Sequence, residues 1–188
     1  RAVTALPAFA ETFSPCAAAA MWRRQVFEAA GGFDERFFCY CEDVDLAFRL
    51  RLGGERCVQV AAARVRHVGS ASTGDRSPFS LYHGARNRIW TMVKNMPAPL
   101  LILAIPAHIA GIILNLLKAM GRPGGLVELK MCVQGLVAAL MHLAPVCADR
   151  RRLRPTSWTA LRVITRTVTW SPLPLLSRAA DLRPVRRR

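Results

Sequence analysis

Two long runs without a charged residue set the strongest limits on how this chain folds. The first run covers residues 95–117 and the second covers residues 131–148. About 20 consecutive apolar residues are enough for a helix to cross a bilayer. The first run is nevertheless interrupted by residues that suit a simple span poorly, namely Pro97, Pro99, Pro106, His108 and Asn115. The runs therefore predict two short transmembrane helices, a re-entrant hairpin, amphipathic helices in the membrane interface, or two buried helices of a soluble protein.

Basic residues dominate the charge of the chain, with 27 Lys and Arg against 12 Asp and Glu and a formal net charge of +15. Residues 149–188 alone contain 11 arginines and two aspartates. Such a basic tail favours a polyanion, either nucleic acid or an anionic membrane face. The tail lacks a regular aromatic platform, and its basic groups flank apolar runs, so we expect a membrane surface as the partner and no nucleic acid. Basic flanks also favour the cytoplasmic side of the membrane.

The six cysteines do not form a metal-binding pattern. Cys39 and Cys41 are separated by one residue, and no second pair has the spacing of a zinc site. We therefore expect ordinary reduced thiols in a cytosolic compartment.

The first half of the chain alternates short apolar runs with glycine and charged turns, which is typical of an α/β domain. Residues 16–22 predict a buried strand or a tight turn, and residues 23–30 predict a short helix that Gly31 and Gly32 end. Residues 42–54 predict a helix with acids in its first turn and arginines near its end. Two further stretches predict strands, residues 56–60 and 63–69.

The densest group of carboxylates lies within residues 31–50, where five of the 12 acidic residues occur: Asp34, Glu35, Glu42, Asp43 and Asp45. Asp43 lies where a loop leads into the predicted helix, and a helix N-terminus favours an ionised carboxylate. Such a group can act as a general base that takes the proton from an attacking hydroxyl. The same acids can equally be N-cap and first-turn residues of an ordinary helix. On a helix the side chains of Asp43 and Asp45 diverge by about 200°, so they would not share one metal ion.

His67 ends the second predicted strand, 24 residues after Asp43. A neutral imidazole at that position can bind a divalent metal. A histidine at a strand end can also be purely structural.

The order of these motifs resembles the C-terminal half of the catalytic domain of family 2 glycosyltransferases, and most of all their bacterial rhamnosyltransferase-like members. The elements that carry the resemblance are Gly32-Phe33-Asp34-Glu35, Phe37-Phe38, Glu42-Asp43-Val44-Asp45-Leu46, Arg49, Gly54 and Val65-x-His67. Two later motifs also look like this family, Tyr82-His83-x-x-Arg86-Asn87 and Lys94-Asn95-Met96-Pro97. The resemblance covers residues 12–100 well and residues 101–150 in general character.

The resemblance implies an α/β chain, a partial GT-A nucleotide-diphospho-sugar transferase fold followed by apolar membrane-associated helices. Residues 1–95 would form the C-terminal half of the catalytic domain, residues 96–148 the membrane-associated or amphipathic helices, and residues 149–188 a basic tail. The family reaction transfers a sugar with inversion from a nucleotide-diphosphate donor, for example dTDP-rhamnose, to a hydroxyl of a saccharide or lipid-linked acceptor. The expected setting is polysaccharide or glycan synthesis at the cytoplasmic face of the bacterial inner membrane.

The same resemblance implies catalytic and metal-binding roles for three residues. Asp43 would be the catalytic base, and Glu42 would orient or support it. His67 would be a ligand of the Mg²⁺ or Mn²⁺ that neutralises the leaving diphosphate. A base on the acceptor side and compensating charge on the leaving-group side are what an in-line displacement needs.

Four further residues are candidates for substrate binding, each with a plainer alternative. Asp34 and Glu35 would line the acceptor pocket, although a turn-forming aspartate is an equal alternative. Phe38 would help to shape the sugar site, or be a core aromatic residue. Arg86 would reach the diphosphate, or be a solvated arginine on a helix.

One departure from the family limits these expectations. The family's first half carries the nucleotide-binding strands and its own metal-binding DxD motif, and nothing in residues 1–30 resembles it. We therefore expect a truncated transferase whose activity in isolation is open. The alternative is a catalytically inactive, membrane-associated binding or scaffold remnant.

Overall fold

Helices dominate the computed structural model, which describes residues 7–67, 74, 76–153 and 157–168. The described elements, in chain order, are β1 (Phe9–Thr12), α1 (Arg24–Ala29), α2 (Glu42–Leu52), β2 (Cys57–Val60), α3 (Pro78–Asn95), α4 (Ala98–Met120), α5 (Gly125–Met141), α6 (Leu143–Leu153) and α7 (Trp158–Thr167). Two short 3₁₀ turns, Ala17–Ala19 and Glu35–Phe37, lie between β1 and α2. The two described strands form one sheet. A sheet of this size neither confirms nor contradicts the GT-A fold, which stays a prediction.

The sheet is an antiparallel pair in which Phe9 lies opposite Val60 and Thr12 lies opposite Cys57. The strand predicted over residues 56–60 is therefore confirmed. The strand predicted over residues 63–69 is wrong over its described part, residues 63–67. A strand needs a partner for its backbone N–H and C=O groups. Within the described residues, the pairing of β2 with β1 ends at Val60 and a turn follows at Ala61.

The segment that leads into α2 follows the predicted pattern of short elements. Within residues 16–22, Ala17–Ala19 form a 3₁₀ turn and no strand is present, in agreement with the tight turn that was one of the two alternatives, and α1 confirms the short helix. Gly31 and Gly32 end that helix with φ of 81° and 64°, in the left-handed region that glycine tolerates best. Arg49 of α2 donates to the carbonyl of Ala30 and so ties the end of α1 to α2.

Helix α2 begins and ends close to the predicted boundaries. Its first turn carries Glu42, Asp43 and Asp45, which favour the positive end of the helix dipole. Leu46 and Phe48 are buried, and Phe48 packs with Leu100 and with Ile164 of α7 in one core cluster. Because α7 contributes to this cluster, its residues are part of the folded protein and not a free tail.

A second core cluster joins α3 to α5 and α6. Phe37, Trp90, Ala139 and Val146 are buried together in it. The indole of Trp90 donates to the carbonyl oxygen of Ala139 at 3.1 Å. Gly135 of α5 lies so close to α3 that a Cβ there would meet the Tyr82 carbonyl oxygen. The second uncharged run is therefore packed along a helix of the first half of the chain.

Helix α4 contains most of the first uncharged run. Pro97 is its N-cap and Pro99 lies in its first turn, where proline is tolerated, and the helix continues through Pro106. Among the described helices, α4 is the only one that is long and apolar enough by itself to cross a membrane. Only 6% of its most apolar segment is buried. Helices α5 and α6 would together make a second candidate, bent by 58° between them.

Candidate functional site

An open cleft of about 550 Å³ collects most of the residues that the sequence singles out. It is lined by Ala17, Phe33, Asp34, Glu35, Phe38 and Glu42. Five of these residues lie between α1 and the first residue of α2, and a hydrogen bond from the Ala17 N–H to Asp43 holds Ala17 beside them. Four residues predicted to act at a transfer site therefore share one cleft.

The loop that shapes the cleft has an unusual backbone. Phe38, Tyr40 and Cys41 all have positive φ, at 61°, 69° and 66°, although none is a glycine. Phe38 has ψ of −60° and lies at the centre of a γ-turn, closed by the Cys39 N–H to the Phe37 carbonyl oxygen at 2.7 Å. Such conformations cost on the order of 1–3 kcal/mol each and persist only where the surroundings hold them. The turn leaves the Phe38 ring 75% exposed beside the cleft.

Glu42 contributes a carboxylate to the wall of this cleft. Its Oε2 is buried and has no hydrogen-bond partner among the described residues. Burial raises the pKa of Glu42, and the neighbouring Asp43 raises it further, against a backbone hydrogen bond that lowers it. A carboxyl with a raised pKa and a free oxygen can exchange a proton with a bound hydroxyl.

Asp43 lies next to Glu42 but is held by the backbone. Its Oδ2 accepts from the Ala17 N–H at 3.1 Å, and its Oδ1 accepts from the Val44 N–H at 2.8 Å. The Ser14 hydroxyl donates to the Asp43 carbonyl oxygen at 3.4 Å. Asp43 therefore fixes residues 14–17 against the start of α2. Each carboxylate oxygen retains a second lone pair for another donor.

Asp34 lies in the cleft wall as one member of a chain of ion pairs. Its Oδ2 is 2.5 Å from Arg36 Nη2 and 2.7 Å from Lys94 Nζ. Burial alone would raise the pKa of Asp34, but the hydrogen bonds from Arg36 and Lys94 outweigh burial and hold that pKa well below its usual range. Arg36 also pairs with Asp149 of α6. The cleft is thereby connected to the helices that follow α4.

Asp45 points away from Asp43 into the protein interior, as predicted from the helix geometry. It is fully buried and accepts from Lys94 Nζ at 3.0 Å, Asn95 Nδ2 at 2.7 Å and Arg49 Nε at 2.9 Å. A buried carboxylate is tolerated when it is paired in this way. Sequence reasoning assigned no role to Lys94 or Asn95, although it singled out the motif that contains them.

Arg86 and His67 lie elsewhere. Arg86 Nη2 donates to the carbonyl oxygens of Arg36 and Phe37 at 3.0 and 3.1 Å, and its guanidinium lies 4.5 Å from the Trp90 ring centroid. His67 is exposed at the end of a described segment. Across residues 7–67, 74, 76–153 and 157–168, no three His, Cys, Asp or Glu side chains converge as a metal site would require.

Comparison with known proteins finds a local similarity to glycosyltransferases. Over 58 residues the chain is 52% identical to N-acetylglucosaminyl-diphospho-decaprenol L-rhamnosyltransferase of Mycobacterium tuberculosis, which is 31% of this chain and 19% of that protein. It is 44% identical over 54 residues to rhamnosyltransferase WbbL of Escherichia coli K12, covering 29% of this chain and 20% of that protein. It is 48% identical over 59 residues to the O-antigen biosynthesis protein RfbC of Myxococcus xanthus, covering 31% of this chain and 5% of that protein.

These matches confirm the predicted likeness to rhamnosyltransferases over about a third of the chain. The chain spans a fifth or less of the length of these relatives. No protein-family model matches the chain, and no solved structure matches it. Membership of family 2 and the GT-A fold therefore stay predictions.

Proposed function

We propose that this chain forms the acceptor side of a glycosyltransferase that moves a sugar from a nucleotide-diphosphate donor to an acceptor hydroxyl with inversion. The local identity to rhamnosyltransferases supports the reaction class. The single structural observation that carries the proposal is the cleft lined by Asp34, Phe38 and Glu42, whose carboxylate has a buried oxygen with no hydrogen-bond partner among the described residues. The proposed product belongs to cell-surface polysaccharide or glycan synthesis, with dTDP-rhamnose as the leading donor. The acceptor is a saccharide or a lipid-linked saccharide.

The proposed chemistry uses the Glu42–Asp43 pair at the start of α2. In the proposal Asp43 takes the proton of the acceptor hydroxyl, and Glu42 supports it from the cleft wall. The geometry also supplies a rival base, because Glu42 and not Asp43 lines the cleft. The exposed ring of Phe38 offers an apolar face to a sugar ring.

Comparing Asp43→Asn with Glu42→Gln in the full-length enzyme tests the proposal. With Asp43 as base, Asp43→Asn lowers kcat at least a hundredfold at a temperature where the variant remains folded, whereas Glu42→Gln has a smaller effect. The reverse order would make Glu42 the base. Normal turnover by both variants would exclude the cleft as the site of transfer. Glu28→Gln, an exposed acid that pairs with Arg24, is the matched control.

A divalent cation, Mg²⁺ or Mn²⁺, is part of the proposal only in a restricted sense. The described residues supply His67 as one candidate ligand, and they contain no group of three metal-binding side chains. They do not by themselves fit a cation site. We therefore assign no chemical step of this chain to a metal.

We further propose that the outward faces of α4 and α5 meet the cytoplasmic face of the bacterial inner membrane. Ile109 and Ile113 of α4 and Val137 and Leu140 of α5 are about half exposed or more. The inner face of α5 packs along α3, which carries several charged residues, so lipid does not surround α5. This packing supports α5 lying at the membrane surface. Basic residues at the C-terminal ends of α4 and α6 complement anionic lipid headgroups.

A further inference from the structure

Asn87 of α3 is fully buried and directs its amide nitrogen at the loop before α2. Its Nδ2 lies 2.8 Å from each of three carbonyl oxygens, those of Phe37, Cys39 and Tyr40. An amide nitrogen has two N–H groups, so the three oxygens share two protons. The Asn87 Oδ1 accepts from Arg86 Nε at 2.8 Å. Arg86 in turn donates to the carbonyl oxygens of Arg36 and Phe37.

The loop depends on such support because its backbone is not one that the sequence prefers. Three of its non-glycine residues have positive φ, a conformation that short peptides of this composition do not hold by themselves. The last of the three, Cys41, is the N-cap of α2 and directly precedes Glu42. The Cys41 side chain makes no capping hydrogen bond, so the start of α2 depends on the loop backbone and on the hydrogen bonds of Asp43. Releasing the loop carbonyls would move the start of the helix and the carboxylates on it.

We propose that Asn87, oriented by Arg86, is a positioning residue that holds residues 37–41 in their positive-φ conformation and so fixes Glu42 and Phe38 in the cleft. That Asn87 stabilises the loop conformation follows from its hydrogen bonds to the loop carbonyls. That the loop conformation affects turnover rests on the proposed function. The Arg86 guanidinium stabilises the same loop through two nitrogens: Nε donates to Asn87 Oδ1, and Nη2 donates to the carbonyl oxygens of Arg36 and Phe37. These contacts differ from the predicted role of Arg86 at a diphosphate.

Thiol labelling measures the loop directly, without any assay of sugar transfer. Cys39 and Cys41 lie in the loop, and Cys57 of β2 is a half-buried reference that Asn87 does not contact. Burial raises the pKa of the Cys41 thiol to about 11, so this thiol is slow to react at pH 8 while the loop is closed. Pulsed labelling with iodoacetamide, read by mass spectrometry of the peptide that carries each cysteine, gives separate rates for the loop and the strand.

Asn87→Leu keeps a side chain of similar size but removes the hydrogen bonds from residue 87 to the loop carbonyls of Phe37, Cys39 and Tyr40. We expect at least tenfold faster labelling of Cys41 in this variant and an unchanged rate at Cys57. Asn115→Leu, an exposed asparagine of α4, is the matched control and should leave both rates unchanged. Arg86→Lys keeps the positive charge but loses the guanidinium group that donates from both Nε and Nη2. It should give a smaller increase in the labelling rate of Cys41. Unchanged labelling of Cys41 in Asn87→Leu, or equal acceleration at Cys41 and Cys57, would overturn the proposal.

Kinetics of the full-length enzyme separate this proposal from the proposed function. If transfer occurs, Asn87→Leu should lower kcat at least tenfold and change the KM for the donor little, since the loop lies on the acceptor side. If the unmodified enzyme transfers no sugar, the proposed function fails, and the labelling rates still decide whether Asn87 holds the loop. Normal kcat together with fast Cys41 labelling would show that the loop position does not matter for the reaction, which overturns the positioning role.

Discussion

The acidic residues of the cleft differ at the scale of single residues, although the sequence places them close together. Asp34 is paired with two cations, and its pKa is lowered. Glu42 has an unpartnered oxygen, and its pKa is raised. A lowered pKa indicates an acid that stabilises the fold in its charged form. A raised pKa indicates an acid that destabilises the fold when charged, which is typical of groups retained for function.

Asp34→Asn should therefore change the acid stability of the protein. Because the pKa of Asp34 is lower in the folded state, its contribution is fully present above its unfolded value of about 4 and is lost as the pH falls below it. We expect Asp34→Asn to lower the free energy of unfolding at pH 7 by about 1–2 kcal/mol and to flatten its decline between about pH 4 and pH 2. Urea denaturation at pH 7 and at several pH values from about 4 to 2 measures the free energy of unfolding and its dependence on pH. Glu35→Gln, an exposed neighbour, should behave like the unmodified protein, and an unchanged slope in Asp34→Asn would contradict the assignment.

At the scale of elements, the close approach of α3 and α5 organises the second half of the chain. Gly135 permits it, because a Cβ at this position would meet the Tyr82 carbonyl oxygen and lie 3.0 Å from the Cβ of Ala85. Gly111 of α4 is also a helical glycine, and beyond its own stretch of helix no atom of the described residues lies within 4 Å of the Cβ that could be added there. The two glycines therefore make a matched pair.

Gly135→Ala should separate α3 from α5 and lower the free energy of unfolding by about 1–3 kcal/mol, the usual cost of overpacking. Gly111→Ala should leave the stability unchanged or raise it by up to about 1 kcal/mol, because alanine favours a helix. Thermal denaturation of the two variants in the same detergent or lipid measures the difference. Equal stability of both variants would show that the α3–α5 contact is not tight in solution.

The elements that the sequence predicts best are those with local signals. Helix α2 is bounded by first-turn acids and by Gly53, and both ends are found where these residues predict them. The local pattern predicts a strand over residues 63–69, which is wrong over residues 63–67, because a strand depends on a partner that local sequence does not specify. The roles of Asn87 and Lys94 escaped prediction for a similar reason. Polar residues on a helix resemble a solvated face, and their partners lie about 50 positions earlier in the chain.

At the scale of the whole molecule, a net charge of +15 accompanies an exposed apolar surface on α4 and α5. These two features predict membrane binding with two separable components. Electrostatic attraction to anionic lipid is screened as salt shortens the Debye length from about 10 Å near 0.1 M to about 3 Å near 1 M. Burial of apolar side chains in the interface persists at high salt.

Ile113→Glu should therefore weaken binding to vesicles at high salt, where the apolar component remains. We expect at least a fivefold lower bound fraction for this variant in co-sedimentation with phosphatidylglycerol-containing vesicles. Val65→Glu is the matched control, since Val65 is 62% exposed and Ile113 is 51% exposed, but Val65 lies outside α4 and α5. Equal loss in both variants would indicate a general effect of charge, and no loss in either would place the membrane contact elsewhere.

The line of ion pairs from Asp149 through Arg36 and Asp34 to Lys94 has a consequence for how such a protein can be recombined. Arg150 adds hydrogen bonds to the carbonyl oxygens of Val93 and Met96, on either side of the predicted boundary at residue 95. A hybrid that joined the first 95 residues to the helices of another protein would leave Arg36 without Asp149. The apolar helices are thus not interchangeable with those of another protein, and a folded hybrid would need both Arg36 and Asp149.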